Sequence, residues 1–478
     1  MKVWRRFAGE IVCLIAAFLC IPPLLAQQEQ GEKPKPAARA NPLLFDTSGD
    51  QRDTDQVTQT MQPDNRPLSG VQNPTLGTSE MRHSYWVPGI EYSNTIRSNS
   101  LNPAANSAWN TTSFISGDIS LLEAWSHSLV SANYSGGGFF STDPIQGNGQ
   151  YHQFATAFEV DQRRWQLLFV DQFSYLPQSA FGFGGASGLA FPGISGTLAV
   201  PLPGLQSPYV PNQTILTANG PRYSNASAVQ LTYAVSPRGS ITLAGVYGTL
   251  RFIDSGNVNS DSEILNVGYN YAINRKDAVG LVYLFSAYRY PGDPQAIGDH
   301  VGQFVYGRKI TGKLALKLAG GPEVTKFRVP IGGSTQMIAG AGNAALTYAF
   351  ARSIVGLSYT HGVSGGSGVF TGSSIDQANA TWSRRLTRVW NGNVNFGYAK
   401  NRQILSVNGL TSPSYDTWLA GAGLSRSLGR TADLSVAYQA QIQNSNVAIC
   451  SNPNCGMNYT AHQIFLTFKW HTRPLVLR

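Results

Sequence analysis

Glu263 to Tyr290 reads EILNVGYNYAINRKDAVGLVYLFSAYRY, and its two halves each alternate side chains with a period of two. In the first half Leu265, Val267, Tyr269, Tyr271 and Ile273 share one face, and Asn266, Gly268, Asn270 and Ala272 share the other. A chain with that alternation is a β-strand with one apolar face and one small or polar face. Asn274-Arg275-Lys276-Asp277 has the composition of a turn. Beyond it a second apolar and aromatic run passes through Val279, Leu281, Tyr283 and Phe285 to Tyr288 and Tyr290. The stretch is a β-hairpin.

Similar units recur along the chain, with short, mostly basic turns near Arg163, Arg238, Arg275, Gly312, Arg352, Arg385 and Arg430, the last six about 33 to 45 residues apart. WD40 blades have a comparable period but need four short strands and a recurring Trp-Asp signature, and neither is present. Each repeat here holds two strands of about 9 to 13 residues, close to the roughly 9 to 11 that a tilted strand needs to cross a bilayer.

Composition agrees with that length. Of the 478 residues only 13% are charged, with 50 glycines and 21 tyrosines, against about 25% charged in an average soluble domain. The polarity comes from Asn, Gln, Ser, Thr and Gly, which suit a water-facing lumen and long loops. No segment after the N-terminus approaches the ~18 consecutive apolar residues of a membrane helix. The formal net charge of +9 raises nucleic acid as a partner, but no DNA- or RNA-binding motif accompanies the basic residues, many of which lie in the short turns.

The N-terminal stretch Met1 to Ala26 places Lys2, Arg5 and Arg6 ahead of an apolar run from Ile11 to Leu19, the layout of a secretory signal peptide. Cys20 follows Phe18 and Leu19, where a lipobox needs small residues. Residues 27–83 are rich in Gln, Pro, Asp and Thr with little apolar periodicity, and read as a disordered periplasmic leader. Removal of the signal leaves Cys450 and Cys455 as the only cysteines, in Cys450-Ser451-Asn452-Pro453-Asn454-Cys455. In the oxidising compartment that an exported protein enters, the expectation is a loop disulfide. A metal site using them with His462 lacks a fourth ligand at usable spacing.

From Tyr85 onward, pairing each short turn with its flanking alternating runs gives about eighteen strands. In one of them Leu434, Val436, Tyr438, Ala440 and Ile442 alternate with Asp433, Ser435, Ala437, Gln439, Gln441 and Gln443. A soluble sandwich alternates too, but its outward face carries Lys, Glu and Arg rather than Gly, Ala, Ser and Asn. The connections also alternate, with about eight short turns on one side and about nine longer loops on the other.

Over roughly residues 84–478 the chain resembles the outer-membrane porin-like β-barrels, and the run Ala461-His462-Gln463-Ile464-Phe465-Leu466-Thr467-Phe468-Lys469-Trp470 is similar to the C-terminal strand of that class, with His471 to Arg478 as an extension beyond its last aromatic. The expected fold is all-β: a transmembrane antiparallel up-and-down barrel with short periplasmic turns and long extracellular loops. The resemblance implies a bacterial outer-membrane channel for passive diffusion of small hydrophilic solutes, in contact with outer-membrane lipid, inserted by the barrel-assembly machinery and assembling as a homotrimer. It implies no cofactor, no metal and no catalysis. A structural or adhesive barrel with a closed lumen, and an outer-membrane hydrolase, stay open as alternatives.

Several motifs carry less than they promise. Gly340-Ala341-Gly342-Asn343-Ala344-Ala345 mimics a dinucleotide fingerprint, but it continues as a strand through Leu346 and Tyr348, where the real motif opens a helix. His361 with Ser364, and the pairs His83-Ser84 and His127-Ser128, have no acidic or amide partner singled out by spacing.

Two groups of residues are candidates for function. Lys313 and Lys317 lie opposite Leu314, Leu316 and Leu318, and Lys469 lies opposite Leu466, Phe468 and Trp470. A lipid-facing charge near the midplane costs about 2 to 4 kcal/mol, so these lysines belong to the lumen or the rim. The segment Pro177 to Asn225, about 50 residues, is far longer than the usual ~12 to 15 for a structureless loop. It carries Phe181, Phe183, Phe191 and Leu202, with Arg222 as its only charge, and would expose a large apolar patch if it stood in water. The third loop of porins folds into the lumen, and the resemblance assigns this one the same constricting role.

Loop lengths orient the barrel, so a tag at Asn408 or Asn452 is expected to be accessible on intact cells and one at Arg238 or Arg430 inaccessible; the reverse labelling pattern overturns the orientation. If Cys450 and Cys455 are bridged, thiol reagents leave both unmodified in the denatured, unreduced protein, and modification of both refutes the bridge.

Overall fold

The computed structural model describes residues 84–476 except 99–108, 143–146, 177–220, 254–255, 275, 312, 330–332, 351, 367, 369, 405–411, 430, 447–457 and 474. The signal and leader segments, Cys450, Cys455, Phe181, Phe183, Phe191 and Leu202 therefore lie outside the described residues.

In chain order the strands are β1 (Tyr85–Ser98), β2 (Trp109–Ala124), β3 (Ser128–Ser141), β4 (Gly149–Asp161), β5 (Trp165–Leu176) and β6 (Arg222–Ala234). There follow β7 (Gly239–Phe252), β8 (Ser260–Ala272), β9 (Asp277–Arg289), β10 (Ala296–Lys309), β11 (Leu314–Val329) and β12 (Gly333–Ala349). The last are β13 (Ser353–Ser364), β14 (Ser373–Arg385), β15 (Trp390–Gln403), β16 (Ser414–Ser427), β17 (Ala432–Ser445), β18 (Tyr459–His471) and the two-residue β19 (Leu475–Val476). Each pairs antiparallel with its neighbour, and β1 pairs with β2 on one side and β18 on the other, so the eighteen long strands close into a barrel.

The opening hairpin shows why these residues form these elements. Asn274 Oδ1 accepts the backbone N–H groups of Lys276 (2.7 Å) and Asp277 (2.9 Å), an Asx arrangement that fixes the turn and with it the register of β8 on β9. Tyr269 then faces Leu281, Val267 faces Tyr283 and Leu265 faces Phe285. All six are on the outer face, and Leu281 is 64% exposed there, whereas Asn266 and Asn270 on the same strand are buried inside. Such apolar cross-strand pairs stabilise an antiparallel ladder by roughly 0.2 to 1 kcal/mol each. The same division runs along β17, where Val436, Tyr438 and Ile442 are exposed and Gln439, Gln441 and Gln443 are buried. An outer wall of this composition is a lipid-facing surface.

The structure revises three expectations. Arg222 is the first residue of β6, paired with Leu176 and Phe252 and only 2% exposed, so it belongs to the wall and the loop ends at 221. Its neighbours Tyr223 to Asn225 continue the ladder with β5, which the loop-like composition of the segment concealed. On the long-loop side, β11 and β12 are joined by 330–332 alone, because both strands extend to meet at Val329↔Gly333. Finally, the residues after Trp470 are not a bare tail. Thr472 gives its N–H to the Pro88 carbonyl (3.0 Å), and Leu475 and Val476 pair with Trp86 and Tyr85, so the last strand resumes after a bulge.

Gly340 to Ala345 lie within β12, as the alternation requires. In β11, Pro322 has no N–H to give, and the β10–β11 ladder skips Gly302 and Gln303 opposite Gly321 and Pro322. The Gly302 carbonyl fills the place where a Cβ on Gly321 would stand, at 1.8 Å, so the wall closes over the defect only because residue 321 is glycine.

Leu281→Arg places a charge on the lipid face near the middle of the apolar band and is expected to destabilise the folded barrel by about 2 to 4 kcal/mol in lipid. The measurement is denaturant unfolding from vesicles, with Ser126→Arg in the exposed β2–β3 turn as the comparison that should lose far less.

Candidate functional site: the lumen and its outer mouth

The inner faces of the strands mix polar side chains with apolar clusters such as Phe114, Phe139 and Tyr151, and Ala157, Leu168 and Val170. Asn133, Asn270, Asn401 and Gln439 are buried, and both polar atoms of each side-chain amide have no hydrogen-bond partner in the protein among the described residues. An amide buried without a protein partner is costly unless a bound water satisfies it, so these four mark where water would sit within the wall.

Charge is concentrated at the seam between the first and last strands. Lys469 on β18 lies on the inner face, its Nζ 3.3 Å from the Asp118 carboxylate on β2, with side-chain exposures of 16% and 7%. Glu91 on β1 stands directly across from Lys469 in the ladder, which makes the group two carboxylates around one ammonium. Lys317 is half-buried on the inner-facing side of β11. Lys313 sits in the exposed β10–β11 turn, where its carbonyl accepts the Ala349 N–H at 2.7 Å. The three lysines therefore do not form one site.

A second set of inward groups lies higher, on β10 and β11. Asp299 and Glu323 are both buried, Thr325 Oγ1 donates to Asp299 at 2.8 Å, and Glu323 Oε1 accepts the backbone N–H of Val363 at 3.1 Å.

Above these carboxylates the connection between β13 and β14, residues 365–372, crosses the mouth. Tyr290 Oη donates to the Gly365 carbonyl at 2.8 Å, the Val258 N–H donates to the Gly368 carbonyl at 2.7 Å, and Thr371 Oγ1 donates to Gln295 Oε1 at 2.6 Å. Phe370 is buried with its ring 5.1 Å from that of Tyr415 on β16. The loop thus touches the β7–β10 side of the rim at one end and β16 at the other. Beneath it Tyr288, Tyr290, Ile297 and Phe327 pack together with Met337, Val363 and Ile404 in an apolar patch. Gly366, Gly368 and Gly372 have φ of 104°, 83° and 87°, the left-handed region that lets the chain double back three times in eight residues.

The barrel has likenesses among solved structures, all of them distant. The crystal structure of Pseudomonas aeruginosa OpdK with vanillate shares 9% identity over 81% of this chain and 99% of that one, with a TM-score of 0.43. Pseudomonas aeruginosa OpdQ shares 11% over 82% and 98%, also at 0.43, and Acinetobacter baumannii OccAB4 shares 9% over 82% and 98%, again at 0.43. No protein-family model matches the chain, and no curated protein matches it.

The outer face contributes a feature that sequence reasoning missed. Tyr134 Oη meets His152 Nδ1 at 2.8 Å, Tyr283 meets His300 at 2.7 Å and Tyr438 meets His462 at 2.8 Å. Tyr359 and Tyr398 meet Asp376 (2.7 Å) and Asp416 (2.8 Å) in the same way. In all five, the tyrosine sits two ladder positions nearer the short-turn end than its partner, at the loop-side edge of the apolar band. This is an interfacial girdle, an apolar ring with a wet, hydrogen-bonded tip. It accounts for His361, which shares the Asp376 carboxylate at 2.7 Å, while Ser364 Oγ is bonded to Ser373 at 3.0 Å. The signal was a histidine or aspartate a few residues into β4, β10, β14, β16 and β18, each of which follows a loop, and it is visible only once the register is known.

Proposed function

We propose that the protein is an outer-membrane channel of a Gram-negative bacterium, through which small hydrophilic solutes diffuse passively. The observation that carries this reading is a closed ladder of eighteen strands whose outer face is aliphatic and aromatic, while its amides and hydroxyls are buried on the inner face together with small apolar clusters. The inward face carries both signs, with the carboxylates of Glu91, Asp118, Glu159, Asp299 and Glu323 matched by Arg97, Arg222, Lys309, Lys317 and Lys469, so the described wall favours neither ion strongly. Lys313, exposed in a turn, acts only at the rim.

The segment 177–221 remains a second constriction in this reading, supported by its length and its apolar residues Phe181, Phe183, Phe191 and Leu202. Insertion by the barrel-assembly machinery and assembly as a homotrimer belong to the same reading, and the mass of the purified complex decides the latter.

The purified protein in a planar bilayer should show discrete conductance steps, with a reversal potential near zero under a KCl gradient. Deletion of Gly184 to Gly204 should raise the step size and admit larger solutes. A folded protein without conductance makes it the closed structural barrel, and a folded deletion with unchanged steps removes the long loop from the constriction.

A further inference from the structure

The ladder between β12 and β13 is the shortest among the long strands. It runs from Ala349↔Ile354 to Gly342↔His361 and stops, although β12 continues for nine more residues, Gly333 to Ala341, held by β11 alone among the described residues. β13 also continues, through Gly362, Val363 and Ser364, held by β14 alone. A bare strand edge is a poor thing to leave on a barrel, because each exposed backbone group wants a partner.

Where β13 goes instead is visible in its hydrogen bonds. Phe350 N–H donates to the Ser353 carbonyl at 2.7 Å, which makes residues 350 and 353 a hydrogen-bonded pair. In an antiparallel ladder such pairs recur at every second position, so 342 with 361 is one, and Gly340 with Val363 is the next. The Val363 N–H therefore points at the place of the Gly340 carbonyl, yet it is given to Glu323 of β11, a residue of the inner face. The Val363 side chain tells the same story. It shares the outer-face parity of Tyr359 and His361, but it packs into the inner patch of Tyr288, Tyr290, Ile297 and Phe327. The tip of the β13–β14 hairpin has slid behind β12, carrying loop 365–372 across the mouth and leaving Ile338, at 73% exposure, on an unpartnered strip of wall.

We propose that the free edge of β12 is the seat of β13's own upper end, and that the hairpin tip exchanges between this inward position, with the mouth crossed, and an in-wall position, with the mouth open. In the second state Val363 passes its N–H from Glu323 to Gly340, and Gly362 and Ser364 come opposite Ala341 and Ala339. Only alanine and glycine stand at those three places on β12, so no side chain blocks the extension of the ladder. The inward state is held by the Glu323, Tyr290, Val258 and Gln295 hydrogen bonds and by burial of Phe370; the in-wall state is held by backbone pairing. Both are inventories of a few bonds, which is what a two-position element requires.

The test uses the full-length protein in a Cys450→Ser, Cys455→Ser background. Ala339→Cys with Ser364→Cys would face each other only in the extended ladder, whereas Ala345→Cys with Ser358→Cys face each other in the ladder already formed. Under oxidant both bridges are expected to form, as read by mass. The upper bridge should raise the single-channel conductance, with return to the starting value on reduction, and the lower bridge should leave it unchanged. If the lower bridge forms and the upper one does not, the tip never reaches β12 and the proposal fails; an upper bridge with unchanged conductance also overturns it. Bridge formation is read without any current, so it separates this proposal from the channel reading itself.

Discussion

A sheet immersed in hydrocarbon has to pair its backbone N–H and C=O groups within itself, because lipid offers none in return and each orphan costs several kcal/mol. Every notable feature of this wall follows from how that requirement is met or excused. It is met by closure of β1 on β18 and by the resumption of pairing at Leu475 and Val476. It is excused at Pro322, where Gly321 lets the neighbouring carbonyl close over the skipped pairs. At Val363 the Glu323 carboxylate stands in for the missing strand. The β12 edge is tolerable because the ladder with β13 persists up to Gly342↔His361, and His361 lies on the Tyr359–Asp376 girdle, where the apolar band ends.

Much of this was legible in the residues because period-two alternation survives in almost every strand. Leu265 to Ile273 and Leu434 to Ile442 announce which face meets lipid, and the basic turns announce where strands end, so the strand number and the closed topology follow. What alternation cannot show is register between strands that are distant in sequence, and several of the missed features depend on register. The Tyr–His and Tyr–Asp pairs join residues 17 to 24 positions apart, and Glu323 is 40 positions from Val363. Arg222 was misplaced for a related reason: Arg222-Tyr223-Ser224-Asn225 has loop composition, and only pairing with β5 and β7 makes it strand. The inward loop 365–372 was overlooked because length drew attention to 177–221, whereas eight residues with three left-handed glycines reach across the mouth.

The lumen owes its character to side chains that are neutral. Amides and hydroxyls hydrogen-bond a passing solute as readily as water does, without the long-range field that a ring of charges would impose. Near the closing seam Lys469 tempers Asp118 and Glu91, whereas Asp299 and Glu323 are two acids held by the Thr325 hydroxyl and the Val363 N–H. Apolar clusters interrupt this lining at several places, and the one around Tyr288 and Phe327 lies where the inward hairpin tip rests.

The pairing of β1 with β18 has a kinetic meaning as well. Neighbouring strands join residues that are close in the chain, as Ala272 joins Ala278, whereas the closing contact joins Gly89 to His471. Loop-closure entropy must be met before such a remote contact returns anything, so hairpins form early and the closing seam forms last. Until it does, both terminal strands are open edges. The ion group of Glu91, Asp118 and Lys469, drawn from β1, β2 and β18, assembles only at that final moment, and so acts as a clasp whose completion reports that the chain has reached its end.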